Sequence, residues 1–121
     1  MNKTIIVSNR LPLQIKIDNN QLQVKPSVGG LATGLKTIHQ EGNSLWIGWS
    51  GLTEEELNSD LSKQVKALIK KEKCDTVSLT QNDLENFYYG FSNRTLWPLF
   101  HYFMEYTEFE NTYWDSYKAV N

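Results

Sequence analysis

At 121 residues the chain has room for one domain with its own core and too little for two. A composition of 40% hydrophobic and 21% charged residues, with net charge −2, is that of an ordinary globular protein and lacks the basic face nucleic acid requires. No apolar run approaches the ~20 residues of a membrane span, and the opening "MNKTIIVSNRLP" is too short and too weakly charged for a signal peptide.

Residues 4–8, "TIIVS", predict a short buried strand. It runs into Asn9, Arg10, Leu11 and Pro12. Residues 13–24 alternate, with Leu13, Ile15 and Ile17 on one face and Leu22 and Val24 following "DNN". This pattern predicts a β-hairpin turning at Asp18, Asn19 and Asn20, where left-handed backbone is tolerated. Such an insertion would sit over whatever lies at the first strand's carboxyl end. Gly29 and Gly30 then precede a helical pattern of Leu31, Leu35 and Ile38, stopped by Gly42.

"SLWIGWSG", residues 44–51, predicts a second strand. Thr53 and Glu56 form a capping box expected to open a helix whose apolar stripe is Leu57, Leu61, Val65, Leu68 and Ile69. Its other face is solvated, and the lysines of "KKEK" suit its carboxyl end. Residues 74–80 predict a third strand. A helix follows, capped by Thr80 or Asn82 and expected to break at Gly90 and "SN", with Pro98 opening a new segment. "NTYWDSYKAVN" predicts a last helix. Strands alternating with helices imply an α/β fold, mainly a parallel sheet flanked by helices, with a hairpin inserted after strand 1.

The lone cysteine, Cys74, cannot form an internal disulfide and fits a reducing cytoplasm. His39 and His101 share no metal-ligand spacing, so no metal is expected; His101 reads as a structural histidine. Four Trp, six Tyr and five Phe are present, most of them after residue 86. At that density they build a core or line a site for a flat, partly apolar ligand such as a sugar. Phe87, Phe91, Leu96 and Phe100 read most simply as core.

Ligands of open parallel sheets bind beyond the carboxyl ends of the strands. Arg10 lies at such an end, as do Trp49, Ser50 and Gly51. Gly29 and Gly30 open a helix whose free N–H groups favour anions. Arg10 offers a fork of donors to a phosphate, and Trp49 offers a flat face and an indole donor to a pyranose. Each residue has a plainer role available: an edge ion pair for Arg10, turn chemistry for the glycines, core for one of Trp46 and Trp49.

"IIVSNRLP", "GGLATGL", "LWIGWSG", "YYGFSNRTLWPLFHY" and "WDSYKAVN", in that order, closely resemble the amino-terminal part of the trehalose-6-phosphate synthase family, UDP-forming retaining glycosyltransferases of the GT-B type. The resemblance covers nearly the whole chain. It implies a partial Rossmann-like domain, residues 1–121 being part of the acceptor-side domain, with the nucleotide-sugar domain lying outside. It implies glucose transfer from UDP-glucose to glucose 6-phosphate, with UDP-glucose as donor substrate and no cofactor or metal. Arg10 resembles the arginine on the acceptor phosphate, and Tyr88, Trp97 and Trp49 resemble the aromatic acceptor contacts. Gly29 and Gly30 resemble the turn facing the donor diphosphate. The family implies front-side transfer in which the leaving phosphate helps take the acceptor proton, and none of these residues is expected to be catalytic by itself. The partners expected are those two small molecules, with no nucleic acid or membrane. A chain ending inside a parallel sheet is expected to be inactive alone and prone to self-association. Two other readings stand beside this one: a catalytically silent module that binds glucose 6-phosphate or a synthase, and a related transferase with another phosphorylated acceptor.

Overall fold

The computed structural model describes residues 2–27, 29–102 and 104–121. The chain divides into two compact units, residues 1–78 and 79–121.

The first unit is built on a three-stranded parallel sheet, ordered β1 (Thr4–Arg10), β4 (Ser44–Trp49), β5 (Cys74–Val77). Between β1 and β4 come the hairpin strands β2 (Leu13–Asp18) and β3 (Gln21–Pro26) and helix α1 (Gly30–Glu41). Helix α2 (Ser59–Lys71) joins β4 to β5. The parallel sheet and the inserted hairpin follow the expected plan. Asn19 and Asn20 turn the hairpin with φ of 50° and 58°, the left-handed pair that matches the twist of two-residue hairpins. The core gathers Leu11, Ile15, Trp46, Leu52, Val65, Ile69 and Cys74.

Several local expectations are corrected. β1 is not a buried strand: Ile5 is 58% and Val7 74% exposed. It lies at an edge of the sheet, and a continuous apolar run cannot by itself say which of its faces is covered. The Thr53–Glu56 box forms, the Glu56 carboxylate accepting from the Thr53 N–H (3.2 Å) and hydroxyl (3.0 Å). It opens only a single 3-10 turn, Glu54–Glu56. Helix α2 starts after it, capped by Asn58, whose side-chain oxygen accepts from Leu61 N at 2.8 Å. In α1 the expected stripe is mostly exposed, and the buried residue is His39. Its Nε2 donates to the Glu72 carbonyl (2.7 Å), its Nδ1 lies 2.7 Å from Ser44 Oγ, and its ring meets Trp46 edge-on. Lys73, itself left-handed at φ 56°, aims its ammonium at the carbonyls of His39 and Gly42, terminating α1 from another element. Burial pushes the Cys74 thiol up to about 11, with Glu72 adding to the shift, so the thiol stays protonated and unreactive near neutral pH.

The second unit is a pair of helices. The first begins at Thr80, which exchanges capping bonds with Asp83 (3.0 and 3.1 Å). It does not break at Gly90. It runs without interruption from α3 (Gln81–Asp83) through a π-wound stretch, Leu84–Leu96, into α4 (Trp97–Phe100). Gly90 is there to let the second helix, α5 (Asn111–Val120), come close: a Cβ on it would stand 2.6 Å from the Tyr113 ring. Pro98 lies within the continuing helix rather than opening a separate one. Having no N–H, it frees the carbonyl four residues back, that of Arg94, which accepts from Glu108 N at 2.7 Å instead. The Thr95 hydroxyl donates to the Glu108 carbonyl and completes the clip. Phe87 and Phe91 pack on Tyr117, and Phe91 on Trp114. Phe100, expected in the core, is exposed.

Candidate functional site

The strongest site of the first unit grows from the end of β1. The β1–β4 pairing is regular from Thr4↔Ser44 to Val7↔Ile47, then slips before resuming at Arg10↔Trp49. One strand carries an extra residue there, which bends it and re-aims its last side chain. Gly48 makes the bend possible: a Cβ would stand 2.7 Å from the Ser8 carbonyl oxygen. Ser8 fastens it, accepting from the Trp46 indole at 2.7 Å and donating to the Arg10 carbonyl at 2.5 Å. Leu11 N bonds Trp49 O at 3.0 Å. The serine of "SNR" thus holds the backbone while Arg10 is presented outward.

The Arg10 guanidinium lies over the Trp49 ring, 5.1 Å from its centre, within the range of cation–π attraction. Trp49 is 4% exposed and its indole N–H already donates to the Leu52 carbonyl at 2.9 Å. This corrects the view of Trp49 as a free indole donor for a sugar: its donor is committed and its face supports Arg10. Gly51, at φ 94°, passes close by, so that a Cβ there would be 3.7 Å from an Arg10 terminal nitrogen. Arg10, Trp49, Ser50 and Gly51 line a pocket of about 200 Å³ together with Leu13, Gln14, Ile15 and Lys16 of the hairpin and Ser27 after it. Among the described residues neither Arg10 nor Lys16 has an acidic partner, and no carboxylate lines the pocket. It is a small polar cavity with uncompensated positive charge.

Gly29 and Gly30 open α1 from extended backbone, Gly29 having φ −178°, and both face open space. The first helical bond is Thr33 N to Gly29 O at 2.9 Å, so the N–H groups of the first turn have no partner within the helix. Tyr88 and Trp97 belong to the second unit, nine residues apart in the chain on its long helix. Tyr88 is half-buried against Tyr89. Trp97 is 63% exposed and stacked on the His101 ring at 4.0 Å, while His101 Nδ1 donates to the Trp97 carbonyl at 2.8 Å. This bond and stack make His101 a support for Trp97.

The model of glycosyltransferase family 20 matches residues 2–121. The chain belongs to that family. Among family relatives, it is 38% identical to a bifunctional trehalose-6-phosphate synthase/phosphatase of Thermoproteus tenax, covering 98% of this chain and 17% of that protein. Two solved structures from the family resemble it over nearly its whole length. The trehalose-6-phosphate synthase of E. coli bound with UDP-2-fluoro glucose is 28% identical with TM-score 0.65, covering 98% of this chain and 23% of that one. The alpha,alpha-trehalose-phosphate synthase (UDP-forming) of Burkholderia xenovorans in complex with glucose-6-phosphate is 28% identical with TM-score 0.63, with 98% and 23% covered. The chain thus spans less than a quarter of the length of these family members, and its fold class is the partial GT-B one expected.

Sequence reasoning placed Arg10 and Trp49 together and missed Gln14, Lys16 and Ser27. No local signal singles them out, because Leu13 and Ile15, on the other face of the same strand, line the pocket too.

Proposed function

We propose that this chain forms the acceptor-side portion of a trehalose-6-phosphate synthase, residues 1–121 contributing the binding of glucose 6-phosphate to an enzyme that transfers glucose from UDP-glucose with retention. The observation that carries this reading is Arg10, held by a bulge and an indole face at the mouth of a polar pocket with no carboxylate to neutralise it. A guanidinium so placed offers a fixed fork to a phosphate. In the same reading Trp49 keeps that fork in its plane, and Tyr88 and Trp97 supply a hydroxyl and a ring face for the sugar. The open N–H groups after Gly29 and Gly30 face the donor diphosphate. UDP-glucose is the donor substrate, and neither metal nor further cofactor is invoked. A cytoplasmic location belongs to this proposal, supported by the buried, unpaired Cys74 thiol.

The test is calorimetric titration of the purified chain with glucose 6-phosphate, beside Arg10→Ala. Saturable binding that the variant weakens by about tenfold or more, with an unchanged circular dichroism spectrum, is the expected result. Equal binding by both proteins, or no binding by a folded wild-type chain, would overturn it.

A further inference from the structure

We propose that Lys16, on the hairpin strand β2, is the second cation of the Arg10 pocket, and that the pair makes the pocket select a phosphate dianion. The proposal rests on the reading of this pocket as the seat of a sugar phosphate and names a residue that reading did not include.

The hairpin brings Lys16 to the pocket. Ile15 is buried in the core, and successive strand residues point to opposite faces, so Gln14 and Lys16 share the other face. Both line the pocket that Arg10 and Ser50 also line, where Leu13 and Ile15 from the same strand contribute as well. The register is pinned by six consecutive cross-strand pairs, with Lys16 opposite Gln23 and Gln14 opposite Lys25. It is pinned again by the Asn19–Asn20 turn, since a one-residue slip would swing Lys16 into the core and Ile15 out. Lys16 is therefore held at the wall it occupies, while its four-carbon stem leaves the ammonium free to move.

Charge supplies the reason for two cations. A phosphate monoester carries roughly −1.5 to −2 at neutral pH. Arg10 contributes one positive charge and is anchored, by Ser8 at its carbonyl and Trp49 under its guanidinium, so it cannot wrap around the anion. A mobile ammonium from the same lining completes neutralisation as a point charge, where the guanidinium supplies the directed fork. Without an anion the two cations face a cavity of about 200 Å³ that no acidic side chain lines, an arrangement that repels itself until a ligand of opposite sign enters.

The test is calorimetry at fixed ionic strength on the 121-residue chain with glucose 6-phosphate, inorganic phosphate and glucose, for wild type, Arg10→Ala, Lys16→Met and Lys16→Arg. Lys16→Met is expected to weaken glucose 6-phosphate and inorganic phosphate by about tenfold, Lys16→Arg to restore most of that loss, and glucose to distinguish none of the proteins. The salt dependence of phosphate binding should also be shallower in Lys16→Met. If Lys16→Met binds glucose 6-phosphate as wild type does while Arg10→Ala does not, the Lys16 proposal is overturned and the acceptor reading stands. If inorganic phosphate binds with Lys16 dependence and glucose 6-phosphate does not bind, the cation pair stands and the acceptor reading falls. A folded chain that binds neither anion overturns both.

Discussion

The two units treat their aromatic residues in opposite ways. In residues 1–78 the two tryptophans are inside, Trp46 1% and Trp49 4% exposed, and each indole N–H has an acceptor, Ser8 Oγ and the Leu52 carbonyl. In residues 79–121 the large side chains from Trp97 to Phe109 lie mostly at the surface, among them Phe100, Tyr102, Met104 and Tyr106. A sheet with helices packed on it can enclose whole side chains. Two helices meeting along one stripe, here Phe87, Gly90 and Phe91 against Tyr113, Trp114 and Tyr117, bury only that stripe. The first unit uses its aromatics for stability and for holding Arg10, while the second keeps Trp97 accessible, stacked on His101.

The largest effect that could break this contrast is Trp46→Ala. It removes a fully buried ring, its edge contact with His39 and the bond that fastens Ser8. Urea denaturation should show a loss of about 3–5 kcal/mol; a loss under about 1 kcal/mol would mean that the core does not depend on this ring. Gly90→Ala comes next. With Tyr113 2.6 Å from the new Cβ, overpacking should cost about 1–3 kcal/mol. Hydrogen exchange should place that loss in residues 79–121 and leave the sheet protected. Uniform deprotection would show that the two units unfold as one. Lys73→Met strips the ammonium from the carbonyls ending α1 and should cost about 1–2 kcal/mol, visible as faster exchange in the last turn of that helix. Trp97→Ala should change stability least, by no more than about 0.5 kcal/mol, because the ring is already in solvent. The proposed function requires that it nonetheless weaken glucose 6-phosphate binding, a pairing of outcomes that a merely structural tryptophan would not produce.

Much of the fold was legible because local chemistry and tertiary packing agree. The Asn19–Asn20 turn, the alternation of β2 and the stripe Leu61, Val65 and Ile69 each state their role within a few residues, and of the two caps offered, Thr80 or Asn82, the structure takes Thr80. The misses share a cause. Gly90 looked like a helix breaker because its value lies in a neighbour, Tyr113, that propensity does not see. Pro98 looked like a start because a distant group, the Glu108 N–H, takes the carbonyl it orphans. The Thr53 box was real and its length was not, since Asn58 offers a second cap five residues on.

For the site, the residue types at the strand ends were sufficient to single out Arg10 and Trp49, since strands alternating with helices must place those ends side by side. What each side chain does there belongs to the tertiary structure. Only the sheet register shows that the strand bulges before Arg10 and that Gly48 makes room for it. Only packing shows that the Trp49 donor is already used. Only the folded hairpin brings Lys16 to a pocket that Arg10 also lines. By itself the sequence determined the elements, their order and the family resemblance, because hydrophobic period, caps and turn residues act over a few positions. Which residues share a pocket, and which donor is already used, was decided by contacts between residues far apart in the chain, and no local pattern encodes them.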